Sequence, residues 1–153
     1  MRVYVDTCCF SVVTKSLDVP QNAKALSELR MLLFMIENGH LSYVHSGWLD
    51  HEIGNTKPPS IRRKIRAMLP RKWFANVPYS AELGKAGDEL AARCSMGVED
   101  AYHVASALAA EVDILISFDK DFVEKARQNA KLLHPMRVLW LPEWFGEVYE
   151  AQK

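Results

Sequence analysis

Residues Gly97 to Phe122 read GVEDAYHVASALAAEVDILISFDKDF. After Gly97, small or apolar residues recur at Ala101, Val104, Ala105 and Leu108. That three-and-four spacing predicts an Ala-rich helix from about Val98 to Ala110 that buries one face. Val112 to Ser117 then runs almost wholly apolar, the composition of a central strand covered on both sides. Two acids, Asp119 and Asp121, stand just beyond it. In open α/β sheets ligands bind outside the carboxyl ends of the strands, so acids placed there are candidates for chemistry. Asp121 also suits the N-cap of a helix running to about Leu133, and fits that role better than the role of a ligand.

Working outward, Val3 and Val5 form a short β-prone run that ends at Asp6 and Thr7. Pro20 and Asn22 open a helix with Leu26, Leu29, Leu33 and Ile36 on its buried stripe, and Gly39 stops it. Leu41 to His45 reads as a second strand. Ser46 then caps a short helix through about Gly54, with Leu49 and Ile53 on the buried face and Trp48 and Glu52 on a neighbouring one. Pro58-Pro59-Ser60 opens a helix with Ile61, Ile65 and Leu69 inward, and Pro70 ends it. Trp73 to Val77 is a weak third strand, and Ser80 caps a helix burying Leu83, Leu90 and Cys94. Arg137 to Leu141 gives a fifth strand before Pro142 and a closing helix packed by Trp140 and Trp144. Strands separated by helices, without hairpin turns, predict an α/β fold: a three-layer α/β/α arrangement with a mostly parallel five-stranded sheet.

A chain of 153 residues is expected to form a single domain, 1–153, with a core that needs no disulfide or structural zinc. The 19 Lys and Arg residues balance 19 Asp and Glu residues, which excludes a uniformly basic, tail-type polyanion binder. Cys8, Cys9 and Cys94 make neither a disulfide framework nor a Cys-x-x-Cys motif, as expected for a reducing compartment. The N-terminus lacks a signal-peptide apolar region, and the longest apolar run, Met31 to Ile36, is too short to span a bilayer. The expectation is a soluble cytoplasmic protein with no membrane partner.

Asp6 ends the first strand and Asp119 follows the fourth. Glu52, on the helix after the second strand, and Asp100, near the start of the helix feeding the fourth, can project toward the same edge. Four carboxylates so gathered raise one another's pKa values unless a divalent cation neutralises them. Mg2+ or Mn2+ is the natural partner, because hard ions take oxygen ligands and keep waters.

Four pieces, VYVDTCCF, SGWLDHEI, GVEDAYHVASALAAEVDILISFDKDF and LPEWFGEV, resemble in order and spacing the PIN-domain ribonucleases, and more narrowly the small VapC-type toxins. The resemblance implies a parallel five-stranded sheet and Mg2+- or Mn2+-dependent cleavage of RNA. It places the family's acids on Asp6, Glu52, Asp100 and Asp119, with Asp121 a common fifth member, and sets Thr7 and Ser117 where the family often has a hydroxyl beside the acids. Asp6, Asp100 and Asp119 are then expected to hold metal directly or through water, and Glu52 to be an outer ligand or a base that orients water. A homodimer and a cognate antitoxin protein are further implications. Related short proteins often carry an Arg or Asn soon after the first Asp, a group that Cys8 to Thr14 lacks.

Other readings compete. His51-Glu52 lacks the second His of a zincin, because Asn55 stands there. His103, one turn from Asp100, either orients a site carboxylate or packs in the core. Cys8 and Cys9 read as packing residues. No acid falls between Glu52 and Glu82, where Lys57, Arg62, Arg63, Lys64, Arg66, Arg71 and Lys72 supply 7 of the 19 bases. The stretch is either a solvated face or the flank of a groove in which Arg62, Arg63, Arg66 and Lys72 meet RNA. A receiver domain needs an acid pair after the first strand and a phosphatase of the haloacid type needs Asp-x-Asp; the chain has neither there. A PIN nuclease of RNA processing or DNA ends, and a silent binding module, remain alternatives.

Overall fold

The first strand, β1 (Arg2–Val5), occupies the centre of a five-stranded sheet in a computed structural model that describes Met1 to Lys153. The strand order is β3-β2-β1-β4-β5, with β2 at Ser42–Ser46, β3 at Ala75–Val77, β4 at Ile114–Ser117 and β5 at Arg137–Trp140. Every pairing is parallel, and the register sets Val3 beside Tyr43 on one side and Ile114 on the other. Parallel strands need crossovers, and helices supply them.

Alternation along the strands divides the interior into two cores. Val3, Val5, Ile114, Ile116 and Leu139 face one side, against Leu29, Leu32 and Ile36 of α2 (Pro20–Glu37), Leu49 and Ile53 of α3 (Gly47–Gly54), Ile65 of α4 (Pro59–Met68) and Trp144 of α9 (Leu141–Ala151). Tyr4, Val44, Leu115 and Val138 face the other, against Cys94 of α5 (Ala81–Cys94), Ala101 and Val104 of α6 (Val98–Ala109) and Phe122 of α7 (Lys120–Gln128). The fold class is therefore a three-layer α/β/α structure with an all-parallel sheet. No helix is long and apolar enough to cross a membrane.

Three local differences from the sequence reading bear on the site. Asp121 does not cap the helix after β4; the N-cap is Asp119, whose Oδ1 accepts the Phe122 N–H at 3.2 Å. The reason is spacing: the strand stops at Ser117, so the turn falls at Asp119, three residues before Phe122, and Asp121 becomes an exposed first-turn residue. The helix expected to reach Leu133 is interrupted at Asn129, whose Nδ2 donates to the carbonyls of Lys125 and Cys94, and α8 (Ala130–Leu133) follows as a separate turn. Directly after Asp6 the chain coils into α1 (Thr7–Phe10) and a 3-10 turn (Ser11–Thr14), a segment whose brevity leaves no periodic signal. The strand bounds also differ from the expected runs: Leu41, Trp73, Phe74, Val112 and Leu141 lie outside the strands, and β2 extends to Ser46.

Gly47 opens α3 under a tight constraint. A Cβ there would lie 2.8 Å from the Tyr79 backbone nitrogen, so only glycine lets the helix carrying Glu52 start flush against the chain after β3.

Candidate functional site

Asp6 continues the β1 ladder, its N–H donating to the Ile116 carbonyl at 2.9 Å, and then presents its carboxylate at the carboxyl edge of the sheet. The residue is buried, 5 % exposed, yet well paired. Oδ2 accepts the Ser117 hydroxyl at 2.9 Å and the Cys8 thiol at 3.3 Å, and Oδ1 lies 3.2 Å from His103 Nε2. Ser117 Oγ in turn accepts the Asp119 N–H at 3.1 Å, and Cys8 Sγ accepts the Phe118 N–H at 3.2 Å. The strand end after β4 is thereby tied to the strand end after β1.

Glu52 reaches the same point from α3, which begins where Ser46 caps it by accepting the Leu49 N–H at 3.0 Å. Glu52 Oε1 accepts the Thr7 hydroxyl at 2.6 Å and hydrogen-bonds His103 Nε2. Burial alone would push the Glu52 carboxyl up, but the His103 and Thr7 bonds and the imidazole charge outweigh it and hold it below the usual carboxylate range. His103, on α6, is fully buried and is held from behind by the Tyr4 hydroxyl, 2.7 Å from Nδ1, which also lies 2.7 Å from Ser46 Oγ. With Nε2 facing two carboxylates, the ring must carry its proton there. Burial opposes the imidazolium, yet Asp6, Glu52 and Asp100 together raise the His103 pKa above its ordinary value. Of the two readings open for His103, the structure shows the orienting geometry.

Asp100 sits in the first turn of α6, half-buried. Burial, then the charges of Asp6 and Asp119, push its carboxyl up to about 6, with His103 pulling the other way. Asp119 is exposed at the N-terminus of α7, and Asp121 is exposed one turn edge further on. Thus Asp6, Glu52 and His103 meet directly, Asp100 and Asp119 adjoin them through their charge, and Asp121 stands at the rim. Polar atoms of Asp6, Glu52 and His103 lie within 4.8 Å of one another, and with its proton on Nε2 the His103 ring serves the two carboxylates as a donor rather than as a ligand. The carboxylates fit a hard divalent cation, since such an ion would offset the charges of Asp6 and Asp119 that, after burial, push Asp100 up.

Beside Glu52 lies an aromatic group that the sequence reading did not assemble. Trp48 stacks on His51 at 5.0 Å and meets the Tyr102 ring edge-on at 4.8 Å, while Tyr79 meets Tyr102 at 5.8 Å. Arg62 donates to the Gly54 carbonyl at 3.2 Å, and Arg63, Arg66 and Lys72 are exposed on or just after α4. α4 packs on α3 and on the 3-10 turn after α1. Missed as supports were Tyr4, Ser46 and Cys8. For Tyr4 a signal existed: a tyrosine inside a strand buried on both faces needs a partner for its hydroxyl.

A parallel sheet with carboxylates gathered at the ends of β1, β2 and β4 defines a class of metal-binding α/β domain. The PIN domain family model matches residues 3–128, from β1 to the end of α7, and the chain belongs to the PIN domain family. Members of this family are typically metal-dependent nucleases. No curated protein matches the chain.

Proposed function

We propose that the protein is a metal-dependent endoribonuclease that hydrolyses RNA phosphodiester bonds, and that it is the toxin half of a toxin–antitoxin pair. The observation that carries the nuclease reading is the convergence of Asp6 and Glu52, from different strand ends, on one buried His103, with Asp100 driven up by burial and by the charges of Asp6 and Asp119. Asp6, Asp100 and Asp119 would hold Mg2+ or Mn2+, with Asp121 at the rim. Such an ion supplies a water activated near neutral pH and positive charge for the phosphoryl oxygens.

The chain's own groups have distinct tasks. Ser117 and Cys8 fix one oxygen of Asp6, and His103 fixes the other. Thr7 and His103 hold Glu52 ionised with a set direction, as a group that accepts a water proton must be. The seven bases between Glu52 and Glu82 form no salt bridge, so their charge is available to a phosphate backbone.

The test incubates an RNA pool with the purified protein with Mg2+ and with a chelator, across salt concentrations. Cleavage is expected only with metal, and neutralising Arg62, Arg63 and Arg66 together should weaken RNA binding and flatten its log–log salt slope by about 2. Cleavage that survives chelation removes the mechanism, and an unchanged slope removes the basic segment from the RNA face. For the toxin reading, expression in cells should arrest growth, and the product of a short reading frame immediately upstream should relieve the arrest by binding this protein, a homodimer on this reading. Growth without arrest would leave a PIN nuclease of another kind.

A further inference from the structure

On the β4 and β5 side of the acids, a cavity of about 380 Å3 opens between α2 and the strand ends. Phe118 and Trp140 form one wall, with ring planes 24° apart and centroids 6.3 Å apart, and Gln21, Lys24 and Glu28 of α2 line the other. Phe118 lies between Ser117, which binds Asp6, and Asp119, so the cavity abuts the candidate site. Lys120 Nζ is 5.1 Å from the Trp140 ring centre and Lys15 Nζ is 5.7 Å from that of Phe118.

Two polar groups among the lining residues have no partner. Glu28 is 2 % exposed, and its Oε2 is buried without a hydrogen bond; the nearest cation, Lys24 Nζ, is 3.9 Å from the other oxygen. Burial pushes the Glu28 carboxyl up, and Lys24 only partly offsets it. The indole N–H of Trp140 is likewise buried and unpaired. Native interiors pair nearly all such groups, so an unpaired acceptor and an unpaired donor lining one cavity point to a guest that offers the complementary edge. Neither atom finds a partner within the protein, so a complementary guest in the cavity would supply one. A guest lying along the Phe118 ring with its edge toward the Trp140 N–H has to be flat, and the two ammonium groups favour one that carries phosphate.

We propose that this cavity is a nucleobase subsite that takes a guanine of the RNA strand next to the cleaved phosphate; the assignment rests on the ribonuclease reading. Guanine is the RNA base with two adjacent N–H donors, N1–H and the N2 amino group, for a carboxylate. Its O6 and N7 acceptors are available to an indole N–H. The other bases offer Glu28 a single donor or a donor beside an acceptor.

The experiment measures binding of the four nucleoside 5′-monophosphates to the full chain at fixed salt, for wild type, Glu28→Gln and Trp140→Phe. Thermal melts confirm that each variant is folded. Cleavage sites on a mixed RNA are then mapped with wild type. GMP is expected to bind about tenfold tighter than the others. Glu28→Gln should erase that preference, Trp140→Phe should weaken GMP severalfold, and guanine should flank the cuts. Equal binding of all four, absence of binding, or a preference that both variants retain overturns the subsite. Cleavage without base preference removes the subsite and leaves the nuclease reading. A Glu28-dependent GMP preference in a protein that cuts no RNA keeps the guanine pocket and removes the nuclease reading.

Discussion

Asp100→Asn should sharply lower metal-dependent RNA cleavage while making the metal-free protein more stable at neutral pH. If Asp100 holds the ion as proposed, its loss should lower cleavage by about two to three orders of magnitude, because charge stabilisation by bound metal is worth several kcal/mol. The stability effect has the opposite sign. In the folded, metal-free chain the Asp100 carboxyl is pushed up to about 6 by burial and by Asp6 and Asp119, whereas in an unfolded chain it titrates near the ordinary value of about 3.9. Its contribution to stability is present at low pH and is lost as pH rises through about 6, because ionisation then occurs against the neighbouring charges. Asparagine carries no charge, so the variant should melt above wild type at pH 7.5 and match it near pH 4. Mn2+ should raise the melting temperature of wild type at pH 7.5 more than that of the variant. A variant that cleaves like wild type sinks Asp100 as a metal-holding group, and one that melts lower at pH 7.5 sinks the electrostatic account.

His103→Ala should be the most destabilising single change at the site. The ring is fully buried, its Nε2 serves Asp6 and Glu52, and its Nδ1 meets the Tyr4 hydroxyl. Without it, two carboxylates face each other with no intervening cation and the Tyr4 hydroxyl loses a partner. Removing one side of a buried ion pair costs about 3–5 kcal/mol, because the remaining charge is left buried and uncompensated. For a chain of this length each kcal/mol lowers the melting temperature by about 2–4 °C, so a fall of about 6–20 °C is expected in metal-free buffer at pH 7. Saturating Mn2+ should recover part of it, since the ion replaces the lost positive charge between the same carboxylates. A fall of only a degree or two would mean that His103 is a packing residue whose hydrogen bonds contribute little.

The layering of the molecule was legible in the sequence because it depends on periodicity. The run from Val112 to Ser117 fits a strand covered on both faces, and the Val98 to Ala110 spacing fits a helix that packs one small-residue face. The rule about carboxyl edges singles out Asp6 and Asp119, and helix positions allow Glu52 and Asp100 to project toward the same edge; the contact of Asp6 and Glu52 with His103 is a tertiary feature. What escaped were features set by a few tertiary bonds. The cap passed to Asp119 because the strand ended two residues before it, a boundary that apolar composition does not mark. Asn129 broke the following helix through bonds to Lys125 and to Cys94 on another helix, and the second of these has no local signature. Tyr4 behind His103, and Cys8 beside Asp6 and Ser117, join residues brought together only by the finished sheet.

The central position of β1 carries a temporal consequence. It pairs early in the chain with β2 and, across a long gap, with β4, where Val3 meets Ile114. Asp6 and Glu52 can therefore be in place while β1 still has an open side, but Asp100 and Asp119 arrive only with the helix and strand that close it. No N-terminal fragment that stops before β4 can hold the whole cluster. During synthesis, the carboxylate cluster is completed only when the last neighbour of β1 docks.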